Sequence, residues 1–134
     1  MLQRFLALCC CLIGFTSSNA ELPPGTYDQL RIDADEALVL QVTSVKIVTS
    51  ENYKNVTVQA KVLRVARSKS GLTKGDTVTL KYEVSTIPFP GPRPIPILQK
   101  NVIYPAFLKK RGGNFEPAAY GESFNSRSER VSGQ

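Results

Sequence analysis

Hydrophobic and polar residues alternate along several stretches of the chain, and a period of two is typical of β-strands with one buried face. The clearest stretch is 76–84 (DTVTLKYEV), in which Val78, Leu80, Tyr82 and Val84 share one parity and polar residues mostly occupy the other. This pattern predicts a half-buried antiparallel strand.

Two longer stretches, 37–49 (ALVLQVTSVKIVT) and 53–66 (YKNVTVQAKVLRVA), also predict strands, but the alternation changes parity within each. The change falls near Thr43 in the first stretch and at Val65 in the second. A β-bulge or a sharp coil near Thr43 and Ser44 would return the later apolar residues to the same side of the sheet. Two neighbouring long strands that both change parity indicate a curled sheet, as closure into a barrel requires.

The remaining segments are shorter. Residues 101–109 are apolar at both parities, which predicts a well-covered strand, and residues 114–120 predict a short last strand. Residues 34–38 (ADEAL), at the end of an N-terminal segment 21–36, are compatible with one helical turn. The polar stretch 123–134 predicts a flexible, disordered tail. Five predicted strands and no long helix indicate a small all-β barrel or sandwich.

Proline occupies every second position within segment 87–97 (IPFPGPRPIPI). Because proline lacks a backbone donor and fixes φ, this segment cannot join a sheet interior or a helix, and an exposed, stiff loop is expected. Such a loop loses little entropy on binding, so it could contact a protein partner through Phe89, Arg93 and Ile95. The alternative is a rigid crossover between strands.

Residues 1–20 are predicted to be a signal peptide. A basic start precedes the apolar run 5–15, which is too short to span a bilayer, and Ser18 and Ala20 are small residues at the positions that a signal peptidase reads. Cleavage is therefore expected before Glu21, giving a secreted or periplasmic protein without a membrane span. The alternatives are a buried N-terminal helix and a lipoprotein. A lipoprotein needs a small residue just before its modified cysteine, whereas here leucine or another cysteine precedes every cysteine.

Composition removes several classes of chemistry. The chain has no His, and Cys9, Cys10 and Cys11 are its only cysteines, so the expected mature protein has no disulfide, thiol nucleophile or soft metal ligand. Asp33, Asp35 and Glu36 could offer oxygen ligands to Ca²⁺, but they lack the glycine and later glutamate of an EF-hand loop. No metal and no cofactor are predicted.

Catalysis is not expected either. A serine nucleophile would lack a histidine base, and the chain contains no GxSxG or SxxK motif. Glu83, Glu116 and Glu122 remain as candidate catalytic carboxylates, which would require a deep pocket that holds them together. A chain of this size rarely builds such a cleft, so the protein is predicted not to be an enzyme.

The chain carries 17 Lys and Arg against 11 Asp and Glu, a formal net charge of +6. A group of cations follows the predicted second strand and the loop after it, and Lys81 lies on the exposed face of the next strand. The group predicted to bind an anionic partner consists of Lys61, Arg64, Arg67, Lys69 and Lys74. Adjacent antiparallel strands would merge these cations into one stripe, whereas the alternative is a solvated basic surface.

The expected partner of this stripe is an anionic envelope or extracellular component, a polyanionic glycan or an acidic protein patch. Nucleic acid is disfavoured because the protein is predicted to be exported. Nucleic-acid binding also needs exposed aromatic rings for stacking. The available rings are equally well explained by the core, namely Tyr53, Tyr82, Tyr104 and Phe107.

Three segments carry a family resemblance: ALVLQVTSV, VTVQAKVLRVARSKSGLTKGDTVTLKYEV and ILQKNVIYPAFLKKRGGNFEPAAYGESF. Their order resembles that of the OB-fold group with netrin-type and tissue-inhibitor-like domains and their small secreted bacterial relatives. The resemblance implies an all-β, five-stranded OB-like β-barrel over 37–122. Tissue inhibitors chelate a protease zinc through an N-terminal cysteine, and the expected mature chain has none, so that mechanism does not carry over.

The sequence therefore predicts a secreted or periplasmic, non-catalytic binding module that recognises an anionic or protein partner. The alternative function is an inhibitor or accessory subunit of an envelope or extracellular enzyme.

Overall fold

The computed structural model describes residues 22–88 and 90–125. The predicted signal peptide, Phe89 and residues 126–134 of the predicted tail lie outside the described residues. The elements in chain order are α1 (Thr26–Ile32), β1 (Glu36–Thr49), β2 (Tyr53–Ser68), β3 (Thr77–Ser85), β4 (Ile103–Arg111), β5 (Asn114–Pro117) and the 3-10 helix η1 (Tyr120–Phe124).

The strands close into a barrel in the order β1-β2-β3-β5-β4, which confirms the predicted five-stranded all-β barrel. All neighbouring pairs are antiparallel except β3 and β5, which run parallel. Segment 87–97, the proline segment, lies in the connection from β3 to β4. Within the described part of the chain, no helix has the length and apolar character needed to cross a bilayer.

The β-bulge predicted near Thr43 is confirmed. Val42 pairs with Ala60 and Ser44 pairs with the adjacent Gln59, so Thr43 is the extra residue on β1. Beyond the bulge, Val45 again packs against the core. Two further register shifts between β1 and β2 lie near the start of β1 and add to the curl that lets the sheet close.

The interior of the barrel is apolar. Leu40, Leu80 and Leu108 are its largest fully buried hydrophobic side chains, and each comes from a different strand. Burying one such side chain contributes roughly 1.5–3 kcal/mol, so these positions hold the sheet closed. Tyr82 also enters the core, where its hydroxyl donates to the carbonyl oxygen of Pro96 at 2.9 Å. Burial raises the pKa of Tyr82 above its usual value.

Local structure differs from the sequence prediction ahead of the barrel. The helical turn with which 34–38 is compatible does not form, because Glu36 already pairs with Ser68 on one side and Leu108 on the other. Pairing with two strands overrides the local helix preference of this segment. The helix that does form is α1, which begins after Gly25 at a φ of 87°, a conformation that favours glycine.

The end of the barrel also differs from the prediction. The last strand was predicted to reach residue 120, whereas β5 ends at Pro117 and η1 follows. Ser123 and Phe124, which were predicted to open a flexible tail, are buried. The ring of Phe124 lies 6.4 Å from that of Tyr82, so one aromatic residue in a polar stretch closes the core.

Candidate functional site: a basic outer face

Four cations lie on the outer side of the sheet formed by β1, β2 and β3, and we call them the basic face: Lys46, Lys61, Arg64 and Lys81. Lys46 and Lys81 both pair with Thr57, one from each side. Because neighbouring strands are about 4.8 Å apart, the backbones at these two lysines are roughly 10 Å apart. All four residues are exposed.

Lys61 and Arg64 extend the basic face along β2. Lys61 pairs with Gln41 and Thr77. Arg64 pairs with Val39, which lies between the buried residues Leu38 and Leu40 and therefore points outward. The face thus spans three strands in width and follows β2 in length.

The residues between these cations are polar but uncharged. Thr57, Gln59 and Thr79 occupy neighbouring positions across the face, and the hydroxyl of Thr79 donates to the side-chain oxygen of Gln59 at 3.1 Å. Glu83 is the nearest carboxylate along β3 and lies at one corner, opposite Asn55. Among the described residues, no carboxylate forms an ion pair with any cation of the basic face.

An aromatic ring lies at the end of the same side of β2. Tyr53, for which the core was an equally good explanation, is 46% exposed and lies two positions before Asn55 on the same strand. Tyr82 is buried, and Tyr104 and Phe107 are partly buried, as the core explanation required. The ring of Tyr53 lies four residues, or roughly 13 Å, along β2 from Thr57, the partner of Lys46 and Lys81, and offers a stacking surface at that end of the face.

The structure divides the stripe predicted from the sequence. Lys61 and Arg64 belong to the basic face, but Arg67 is engaged within the fold. Its guanidinium donates to the carbonyl oxygen of Arg31, in the last turn of α1, and to that of Ala34, just beyond the helix, both at 2.9 Å. A cation at the C-terminal end of a helix satisfies free carbonyl groups and complements the helix dipole.

Lys69 and Lys74 lie in the loop between β2 and β3 rather than on the sheet. The Lys69 ammonium is 4.0 Å from Asp35, and both lysines are exposed. Glu36 holds the start of this loop in place. It is fully buried and accepts hydrogen bonds from the hydroxyls of Ser68 and Ser70. A role for these loop lysines in binding stays a prediction.

Lys46 is not among the cations predicted from the sequence to bind a partner, although its position in stretch 37–49 could have indicated it. It is the one cation in stretch 37–49. Because the bulge at Thr43 returns Val45 to the core side, Lys46 must point outward beside Thr57.

Two of the three residues predicted on the proline segment, Arg93 and Ile95, have partners within the fold. The guanidinium of Arg93 pairs with Glu122, and its centre lies 5.2 Å from the centroid of the Tyr27 ring. Ile95 packs against the core, and Phe89 lies outside the described residues. The segment is thus fastened to α1 and η1, and its role in contacting a protein partner stays a prediction.

Glu122 is the centre of this fastening and is only 6% exposed. Besides Arg93, its carboxylate meets Arg31 at 3.5 Å and accepts a hydrogen bond from the side chain of Asn125 at 2.8 Å. Arg31, itself buried, also pairs with Asp28 one turn earlier on α1. We call Arg31, Arg93, Glu122 and Asn125 the Glu122 network.

The acidic segment considered for Ca²⁺ does not form a shared site. Asp33 accepts from Gln29 on α1, Asp35 accepts from the backbone N–H of Lys110 at 3.1 Å, and Glu36 is buried with the serines. Across residues 22–88 and 90–125, no group of three acidic, His or Cys side chains is arranged to hold a metal ion.

Comparison with known proteins adds no assignment: no protein-family model, no curated protein and no solved structure matches this chain.

Proposed function

We propose that the protein is a secreted or periplasmic, non-catalytic binding module that recognises an anionic partner with its basic face. The observation that carries this proposal is the set of four exposed cations on three adjacent strands without an ion pair among the described residues. Grouped like charges raise the local positive potential, which attracts an anion and repels other cations.

The arrangement favours an extended anion over a small one. A single pair of exposed charges at 4 Å contributes only about 1 kcal/mol in water, so one anionic group would bind weakly. A chain of anionic groups can meet several cations at once, and Lys46 and Lys81 lie roughly 10 Å apart across the face. Tyr53 adds a ring on which a sugar can stack. An acidic polysaccharide fits these features, and we choose it as the partner class.

The test compares two double charge reversals that change net charge equally. Lys61→Glu/Arg64→Glu alters the basic face, whereas Lys69→Glu/Lys74→Glu alters the loop. Binding to a sulfated polysaccharide such as heparin is measured at several salt concentrations. We expect the face variant to bind at least about tenfold more weakly, which corresponds to 1.4 kcal/mol, and the loop variant to change less than threefold.

Salt should weaken binding of the wild-type protein, because exposed charges are screened within about 10 Å at 0.1 M ionic strength. Equal losses in both variants would show that net charge, and not the basic face, attracts the polysaccharide. Binding that is insensitive to salt would also contradict the proposal.

A further inference from the structure

The parallel pairing between β3 and β5 is unusually short. It consists of one residue pair, Leu80 with Phe115. Two residues later β5 ends at Pro117, which has no backbone N–H to continue the ladder, and the chain then turns into η1. Over 81–85, β3 therefore pairs with β2 on one side only, and no strand of the described chain pairs with its other side.

A groove of about 770 Å³ lies beside this free edge. Its lining includes the edge residues Lys81, Tyr82 and Glu83. Leu30 from α1, Ile95 from the proline segment and Tyr120 from η1 form apolar walls. These walls flank the edge, and the groove continues onto the outer side of the sheet, where Asn55 and Thr57 of β2 also line it.

Charge distinguishes the possible occupants. Three cations (Lys81, Lys109 and Arg111) and two carboxylates (Glu83 and Glu116) line the groove. Arg111 is paired with Glu116 at 3.2 Å, whereas Lys81, Lys109 and Glu83 form no ion pair with the described residues. The groove thus has one positive charge in excess, which favours a segment that carries a carboxylate. The chain's own residues 126–134 hold two arginines and one glutamate, so their charge does not match this need.

We infer that the groove binds an extended acidic peptide segment of a partner protein, which adds as a strand to the free edge of β3 over 81–85. Its backbone satisfies the unpaired N–H and C=O groups of that edge, which is the general mode of β-strand addition. An Asp or Glu of the peptide lies between Lys81 and Lys109, and alternate apolar side chains meet Ile95 and Tyr120. Lys81 also belongs to the basic face but Lys109 does not, so substitution of Lys109 tests this inference separately from the proposed polysaccharide binding.

The test starts from a displayed library of random seven-residue peptides, selected on the full-length protein. We expect the selected peptides to alternate apolar and polar residues and to contain at least one Asp or Glu. One selected peptide is then synthesised, and its binding to wild-type protein and to three variants is measured by titration calorimetry. Lys109→Glu should weaken binding at least about tenfold, Lys109→Arg should preserve it, and Lys61→Glu should change it less than threefold.

Hydrogen exchange locates the bound peptide. The peptide should slow exchange of backbone amides within 81–85, and N-methylation of alternate peptide residues should abolish binding, because it removes the donors that pair with the edge. Loss of binding in Lys61→Glu but not in Lys109→Glu would overturn the inference while leaving polysaccharide binding intact. Failure to select acidic peptides, protection of other amides, or tight binding of a synthetic peptide of residues 126–134 in the groove would also overturn it.

Discussion

The arginines beside α1 and the cations of the basic face carry the same charge in opposite settings. Arg31 is buried and meets Asp28 and Glu122, and Arg67 donates to backbone carbonyl oxygens. Lys46 and Lys81 are exposed and have no ion pair with the described residues. The difference indicates that the first group stabilises the fold and the second is available to a partner.

Side-chain chemistry explains part of this division of roles, although the basic face also contains one arginine, Arg64. Guanidinium is planar and presents five donors, so one arginine can join several acceptors in a fixed geometry, as Arg67 does at the end of α1. A lysine ammonium is a compact charge on a flexible stem and is easily kept in solvent. Substitutions should therefore separate the two regions: loss of stability near α1 and η1, loss of binding on the basic face.

The largest effect is expected at Glu122, the shared acceptor of the Glu122 network. Glu122→Ala leaves the buried guanidinium of Arg31 without its second carboxylate and removes the carboxylate that pairs with the guanidinium of Arg93. Removing one partner from a buried ion pair typically costs 3–5 kcal/mol. Because Arg93 is half exposed, we expect a loss of about 3 kcal/mol in the free energy of unfolding, measured by urea denaturation.

The control for this variant is Glu51→Ala in the exposed turn between β1 and β2, which should change stability by less than about 0.5 kcal/mol. Heparin binding by folded Glu122→Ala should equal that of the wild type, because the basic face is not altered. A stability equal to that of Glu51→Ala would show that the Glu122 network does not hold the fold, and the comparison between the two regions would fail.

A smaller effect is expected at Gly121, where η1 and the proline segment are in close contact. Its N–H donates to the carbonyl oxygen of Arg93 at 2.9 Å. A Cβ added at this position would overlap the carbonyl oxygen of Pro94 and lie 2.9 Å from that of Arg93. Because both atoms belong to the backbone, the proline segment would have to shift, and overpacking of this kind costs about 2 kcal/mol.

Gly113→Ala is the matched control, because a Cβ there meets no atom within 4 Å. Thermal unfolding of the two variants should differ clearly, with Gly121→Ala melting lower. Equal melting temperatures would indicate that the proline segment can shift away from η1 without a loss of stability. The segment would then not be part of the stabilising region.

The alternation of apolar and polar residues predicted the barrel, because this pattern depends only on neighbouring residues within each strand. The parity change in 37–49 specified the bulge at Thr43, since a strand must keep its apolar residues on one side. The same rule did not identify α1, whose seven residues are too few to show a helical period. It also missed Phe124, because one buried ring in a polar stretch has no periodic neighbours.

The site was less predictable, because exposure and partners depend on contacts between distant residues. Arg64 and Arg67 look alike in the sequence, but the register with β1 places one on the basic face and brings the other to the end of α1. Arg31 and Glu122 meet across 91 positions of sequence, which no local pattern reports. The charged residues could be counted from the sequence, but which of them form ion pairs depends on the fold.

The smallest and most specific effect is expected from comparing these two arginines of β2. Arg67→Ala removes hydrogen bonds to the carbonyl oxygens of Arg31 and Ala34, and because Arg67 is largely exposed we expect a loss of only about 1 kcal/mol. Arg64→Ala should leave the free energy of unfolding within about 0.5 kcal/mol of the wild type but weaken heparin binding more than Arg67→Ala does. Urea denaturation and heparin titration of both variants measure the two quantities. If the arginines exchanged roles, or if both variants lost binding equally, the division between stabilising and available cations would be wrong.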